Sequence, residues 1–192
     1  MNETLQTLRG AWRAPELRKK ILFTLFILLI YRLGNAVPVP YVDVAALSEY
    51  FNTALSDTVL GLYNAMSGSA FSRATVFALS ITPYINSSII MQLLCIGIPA
   101  LERMQKEGGE EGRKKIASIT RYVTVGLALL MGFSYYVMLR NYNMLTQRGF
   151  ITGLVIVLTF TAGSAFIMWL GEQITEFGIG NGISIILFAS II

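Results

Sequence analysis

The chain has 192 residues, 54% of them hydrophobic and only 14% charged, with a net charge of +4 and a mean hydropathy of +0.60, too apolar for an ordinary soluble domain. Histidine is absent and Cys95 is the only cysteine. That excludes an internal disulfide, a Ser–His dyad and a histidine-based zinc site.

Residues 1–20 form the first region, with Arg9, Arg13, Arg18, Lys19 and Lys20. Leu5, Leu8 and Trp12 recur at i, i+3 and i+7, which predicts a short amphipathic helix on the cytoplasmic leaflet, with a solvated basic tail as the plainer alternative. A first span follows at about 21–37 and stops at Pro38 and Pro40. Its basic front resembles that of a signal peptide, but the four hydrophobic blocks behind it argue for an uncleaved span. Arg32 falls beyond mid-membrane, where it either snorkels to the interface or pairs inside the bundle. A mildly polar external segment, 41–73, closes with YNAMSGSAFSR. The small side chains there pack closely or move without stranding a large one.

The second span, about 74–98, lies in the uncharged run Ala74–Leu101. It is long enough to cross a bilayer, which takes roughly 20 apolar residues. Pro83, Asn86, Ser87, Ser88 and Gln92 sit near its middle, and lipid offers such groups no hydrogen bonds. Ile81, Ile85, Ser88 and Gln92 fall at i, i+4, i+7 and i+11 and so share one helical stripe, with a kink expected at Pro83. A stripe of this kind fits a hydrophobic constriction beside a wetter face. It also fits ordinary helix packing, with Ser and Asn bonding a neighbour.

The stretch EGGEEGRKK after it reads as a solvated loop. Third and fourth spans are predicted at about 116–139 and 150–171, and a fifth begins near Gly180 and is still apolar at Ile192. Residues 180–192 rise only about 20 Å as a helix, short of a core roughly 30 Å thick. The expectation is an incomplete fifth span, in a fragment or in a chain completed by a partner. Basic residues cluster before span one and in the loop after span two (Arg103, Lys106, Arg113, Lys114, Lys115). That places both on the cytoplasmic side. Both aspartates, Asp43 and Asp57, lie in the external segment, which excludes an intramembrane aspartyl pair. The spacing of Gly178, Gly180 and Gly182 is not that of a dinucleotide fingerprint. The reading is therefore of a chain that is not an enzyme and needs no cofactor.

Two long motifs, FALSITPYINSSIIMQLL at 77–94 and WLGEQITEFGIGNGISIIL at 169–187, resemble the signature regions of the SecY family, the central subunit of the bacterial protein-conducting channel. RLGNAVPVPYVD, NAMSGSAFSRATVF and EGGEEGRKKIASITRY match as well, in order along the chain. The resemblance implies an all-α polytopic membrane protein: the first five-helix half of a ten-helix inverted-repeat channel bundle, with the fifth helix incomplete. Its implied role is to move unfolded secretory polypeptides across the bacterial plasma membrane and membrane segments laterally into it. Half of a small-solute secondary transporter, or a purely structural membrane subunit, are the alternatives.

The motif match assigns Ile81, Ile85, Ile183 and Leu187 to the family's aliphatic pore ring. It assigns about 62–72 to the plug that seals the closed pore: Tyr63, Asn64, Ala65, Met66, Ser67, Gly68, Ser69, Ala70 and Phe71. Asn86, Ser88 and Gln92 are the expected polar residues of a lateral gate. Implied partners are SecE-like and SecG-like small subunits, the SecA motor or the ribosome, a translocating polypeptide with its signal sequence, and the lipid bilayer; no nucleic acid is implied. Ser80 stands where glycine is usual, which puts very close packing there in doubt. Phe177 stands where a basic or polar residue is common.

Overall fold

The computed structural model describes residues 14–55 and 57–191. The amphipathic stretch of Leu5, Leu8 and Trp12 therefore lies outside the described residues. Helix α1 spans Pro15–Asn35. Pro15 fits its first turn, where no intrahelical N–H bond is lost, and Glu16 and Arg32 sit at the ends that the helix dipole favours. Thr24, Ile27 and Tyr31 form its buried line, while Leu22, Leu25, Phe26, Leu29 and Leu33 are exposed. Arg32 is exposed as well and makes no ion pair among the described residues.

Helix α2, Val44–Tyr50, is capped by Asp43, whose Oδ1 accepts the Ala45 and Ala46 amides at 3.1 Å each. A π-type turn, Phe51–Leu55, leads towards α3, Val59–Met66. Helix α4 is Thr82–Gly97 and α5 is Pro99–Lys106, the two bent by 102° at Ile98. Helix α6, Gly109–Asn141, and α7, Phe150–Phe177, are the long pair. Helix α8 is Gly182–Ile191. At 1.5 Å per residue α6 and α7 run about 50 and 42 Å, more than a bilayer core. Both are apolar enough to cross one, as is the bent α4–α5 pair taken together.

Three local features differ from the expectations above. The uncharged run is not one helix: from Ser67 to Ile81 the backbone is irregular, with positive φ at Gly68, Ser69, Ala74 and Ser80. Pro83 consequently kinks nothing, because it occupies the first turn of α4. Irregular backbone at membrane depth is tolerated only when protein surrounds it. Phe71, Ala74, Thr75, Phe77, Ala78, Leu79 and Ser80 are all buried. Local turn bonds (Ala78 N–H to Thr75 O at 2.9 Å, Ser80 N–H to Phe77 O at 2.8 Å) are supplemented from far along the chain: Val39 N–H to Ala74 O at 2.9 Å, Val76 N–H to Val37 O at 3.0 Å, and Ser164 Oγ to Ser80 O at 3.3 Å.

The second difference is EGGEEGRKK, which is helical from Gly109 onward rather than a loop. Glu110 and Glu111 occupy the favourable first turn of α6. Third, Ser80 takes φ +50. The position asks for left-handed backbone, which glycine adopts more readily than serine.

Packing follows the long helices. Helix α6 lies against α7, α4 against α6, and α8 against α7, with α1 packed against both α7 and α8. Two buried clusters result. One gathers Val39, Leu47, Phe51, Phe71, Leu79, Tyr135, Leu139, Met144, Ile156 and Phe160. The other gathers Ile27, Tyr31, Phe77, Ile81, Ile167, Leu170, Ile174 and Ile186.

Candidate functional site

Ile81 is the N-cap residue of α4, so Ile81 and Ile85 stack one turn apart, as Ile183 and Leu187 do on α8. All four belong to the Ile81 cluster: Ile81 is fully buried and the other three pack half-buried against it. Gly171 of α7 is the point where side chains of both segments meet, at distances a Cβ would tolerate as ordinary contact. A Cβ there would lie 3.5 Å from both Ile81 Cδ1 and Ile183 Cγ1 and 3.6 Å from Ile186 Cδ1. The start of α8 is pinned from two sides. Asn181 Oδ1 accepts the Ile183 amide at 3.0 Å, and Thr175 Oγ1 accepts the Gly182 amide at 2.9 Å. Gly182 runs so close to the Gly171 carbonyl that no side chain fits. The register of Ile183 and Leu187 is thereby fixed.

Beside Ile183 opens a cavity of about 460 Å³ lined by polar groups, among them Tyr84, Gln173, Glu176 and Asn181. Across it Arg121 Nε of α6 meets Glu172 Oε1 of α7 at 2.9 Å, with Arg121 about half exposed. Sequence reasoning missed this pair. The signal was present, since Arg121 lies inside the third hydrophobic block and a charge there needs a partner or water. Further away, the Glu102 carboxylate 2.7 Å from Lys106 holds that ammonium's pKa above its usual value.

The residues of 62–72 form a folded unit against the end of α8. Tyr63, Asn64, Ala65 and Met66 lie in α3, and Ser67, Gly68, Ser69, Ala70 and Phe71 in the turns after it. Asn64 Oδ1 accepts the Ser72 amide at 2.8 Å, and Ser67 Oγ accepts that of Phe71 at 3.2 Å. Gly68, at φ +64, faces the Ser190 carbonyl, where a Cβ would collide. Ser190 Oγ bonds both Met66 O at 2.8 Å and Leu187 O at 2.7 Å. One hydroxyl thus joins this unit to the last member of the aliphatic set. On its other flank, Tyr63 donates to Leu79 O at 3.0 Å and Tyr135 to Phe71 O at 2.5 Å. The Phe71 ring meets Phe51, Tyr63 and Tyr135 at 5.3, 5.0 and 4.4 Å.

None of the three residues expected at a lateral gate is buried. Asn86 and Gln92 are exposed on α4, and Ser88 is half-buried. Gln92 Nε2 donates to Ser88 Oγ at 3.4 Å; Asn86 does not join them. The inward polar residue is Ser87, fully buried, which meets Thr124 Oγ1 at 2.5 Å and donates to Thr120 O at 3.3 Å. It fastens α4 to α6. Cys95 is buried on the same helix, and Phe177 sets its ring against Phe23 of α1 at 6.2 Å.

The family model SecY matches residues 75–192, more than half of the chain. The chain belongs to the SecY family. It is 46% identical over 192 residues to the protein translocase subunit SecY of Streptomyces scabiei, an alignment covering 94% of this chain and 44% of that protein. With the SecY of Bacillus subtilis strain 168 the identity is 43%, covering 97% and 43%. With that of Aquifex aeolicus strain VF5 it is 40%, covering 96% and 44%. The chain thus spans less than half the length of these SecY relatives. Among solved structures, canine Sec61 in a ribosome-channel complex superimposes with a TM-score of 0.61, and another protein-conducting channel with 0.62. Each is 18% identical, with 90% of this chain and 36% of the other covered. The SecY fold is therefore shared: an all-α, multi-pass, membrane-embedded bundle matched by part of each larger structure.

Proposed function

We propose that the chain forms part of a protein-conducting channel, passing unfolded polypeptides across a membrane and releasing apolar segments sideways into lipid. The observation that carries this reading is the convergence of Ile81 and Ile85 of α4 with Ile183 and Leu187 of α8, in a chain of the SecY family. Aliphatic side chains close against one another without directional bonds. They can close around any passing chain without selecting its sequence, and while closed they exclude water and ions. The polar cavity beside Ile183, with Arg121, Glu172 and Glu176, would then be the wet approach to the constriction.

In the same reading, residues 62–72 are the plug, held in its resting place by Ser190, Tyr63 and Tyr135. Asn86, Ser88 and Gln92 make the exposed edge of α4 less oily, so a hydrophobic signal helix intercalates there at the expense of a weak interface. A bacterial plasma membrane, a cytoplasmic N-terminus, small SecE-like and SecG-like subunits, and a SecA motor or ribosome complete the proposal. Its support is the bacterial origin of the relatives and the ribosome-bound state of the canine channel. Nothing specific favours a solute transporter or a purely structural subunit.

The test uses the full-length protein with cysteine at Ile81 or Ile183 and a secretory chain arrested in transit. Disulfide crosslinks to the arrested chain are expected at both positions. Absence at both overturns the assignment of a constriction there.

A further inference from the structure

Where α6 ends and α7 begins, a cavity of about 680 Å³ is lined by, among others, Phe133, Tyr136, Arg140, Arg148, Leu154 and Val157. It lies within the range of about 300–1,000 Å³ typical of ligand sites and is remote from the aliphatic cluster. Its two ends differ in chemistry. Arg140, in the last turn of α6, and Arg148, just before α7, stand at the rim. No carboxylate lines the cavity, and neither arginine makes an ion pair among the described residues. Asn143 Oδ1, on a residue at φ +56, accepts from Arg148 Nη2 and sets the direction of that guanidinium. Its remaining donors stay available. About two helical turns, or roughly 10 Å, separate Arg140 from Phe133, and the wall between them is apolar. Gly153 leaves the space in which the Tyr136 ring lies, since a Cβ there would come within 2.7 Å of Tyr136 Cζ. Phe133, Phe150, Ile151 and Leu154 are exposed along the same face, Phe150 at 86%.

We infer that this cavity holds an anionic glycerophospholipid, its phosphate between Arg140 and Arg148 and one acyl chain along Phe133, Leu154 and Val157. The occupant follows from the gradient. α6 and α7 are long enough to cross the bilayer, so their joined ends reach the interface, where tyrosine and arginine sit at headgroup depth. Guanidinium groups match phosphate with paired hydrogen bonds. A free anion would have no use for the apolar wall, and a neutral lipid would leave the basic rim uncompensated.

The test places the photoreactive residue benzoylphenylalanine at Phe150 of the complete translocase. The complex is reconstituted in nanodiscs of equal phosphatidylglycerol and phosphatidylcholine, and the adducts are read by mass spectrometry. Two basic side chains near headgroups give an expected phosphatidylglycerol preference on the order of tenfold. Arg140→Gln with Arg148→Gln brings the ratio to about one, the paired lysine variant keeps most of it, and 10 mM inorganic phosphate leaves it unchanged (the concentration being about that of a standard buffer). A ratio near one in the unsubstituted complex overturns the inference. So does a preference that survives the glutamine pair. Loss of lipid adducts to free phosphate would assign a soluble-anion site instead, and adducts to another polypeptide, or none at all, would show that lipid does not occupy the cavity.

Discussion

The Phe71 cluster and the Ile81 cluster flank the same irregular stretch of backbone and both mix aliphatic with aromatic side chains, yet their centres are joined differently. Around Phe71 the contacts are aromatic and the hydroxyls of Tyr63 and Tyr135 aim at named carbonyls. Around Ile81 the four residues Ile81, Ile85, Ile183 and Leu187 are all aliphatic, while the aromatic pair of the same cluster, Tyr31 and Phe77, stacks at 5.8 Å. Directional contacts specify one arrangement and lose much when it shifts. Aliphatic contacts lose little when partners slide, because dispersion has no preferred direction. On the proposed function, the first cluster would hold a resting state and the second would close around a passing chain.

Substitutions that spoil one cluster should therefore leave the other's property intact. The largest effect is expected from Phe71→Ala. It empties a buried site touched by three rings and should cost about 3–5 kcal/mol. Thermal unfolding of the full-length protein in detergent would read this as a clear fall in Tm. A change under about 1 kcal/mol would mean that the Phe71 cluster holds nothing in place.

Ile85→Ser sharpens the other side. Ile85 is half-buried, so the stability cost should stay near 1 kcal/mol, while resting ion conductance in planar bilayers rises several-fold through loss of the apolar seal. Unchanged conductance would remove Ile85 from any constriction. Tyr135→Phe comes next. It keeps the ring but removes one of two donors to the Phe71 carbonyl, the Ala74 amide remaining at 3.1 Å, at a cost of about 0.5–1.5 kcal/mol. In conductance recordings it should also raise the frequency of brief openings without enlarging the steady leak. If Tyr135→Phe instead reproduced the Ile85→Ser leak, the division of labour between the clusters would be wrong.

The sequence showed the membrane blocks and the family motifs plainly, because both are local patterns. Ile81 with Ile85 and Ile183 with Leu187 are single-turn spacings on two helices, and the structure brings the four together. The irregular course of 67–81 was hidden. Its residues are as apolar as those of α4, and the local turn bonds are completed by partners at Val37, Ser164 and Tyr135, far away in sequence. The inward turn of Ser87 rather than its neighbour Ser88 was hidden for a similar reason: only the position of Thr124 on α6 decides it. Arg121 and Glu172 are 51 residues apart, and no periodicity within either helix points from one to the other.

The smallest expected effect falls on the backbone between the two clusters. Ser80 is buried in left-handed conformation at φ +50, and its hydroxyl finds no partner among the described residues. A non-glycine residue there costs roughly 1–2 kcal/mol, and an unpaired buried hydroxyl adds to the cost. Glycine relieves both but enlarges the freedom of the unfolded chain by up to about 1 kcal/mol. Ser80→Gly should therefore stabilise the protein by about 1 kcal/mol, raising Tm by roughly 2–4 °C. Because Ser80 sits between Leu79, which receives Tyr63, and Ile81, the gain should appear without any change in resting conductance. A lower Tm would show that Ser80 pins the stretch by a contact worth more than its strain. A raised Tm with raised conductance would show that the stiffness of this backbone, and not the aliphatic side chains alone, keeps the constriction closed.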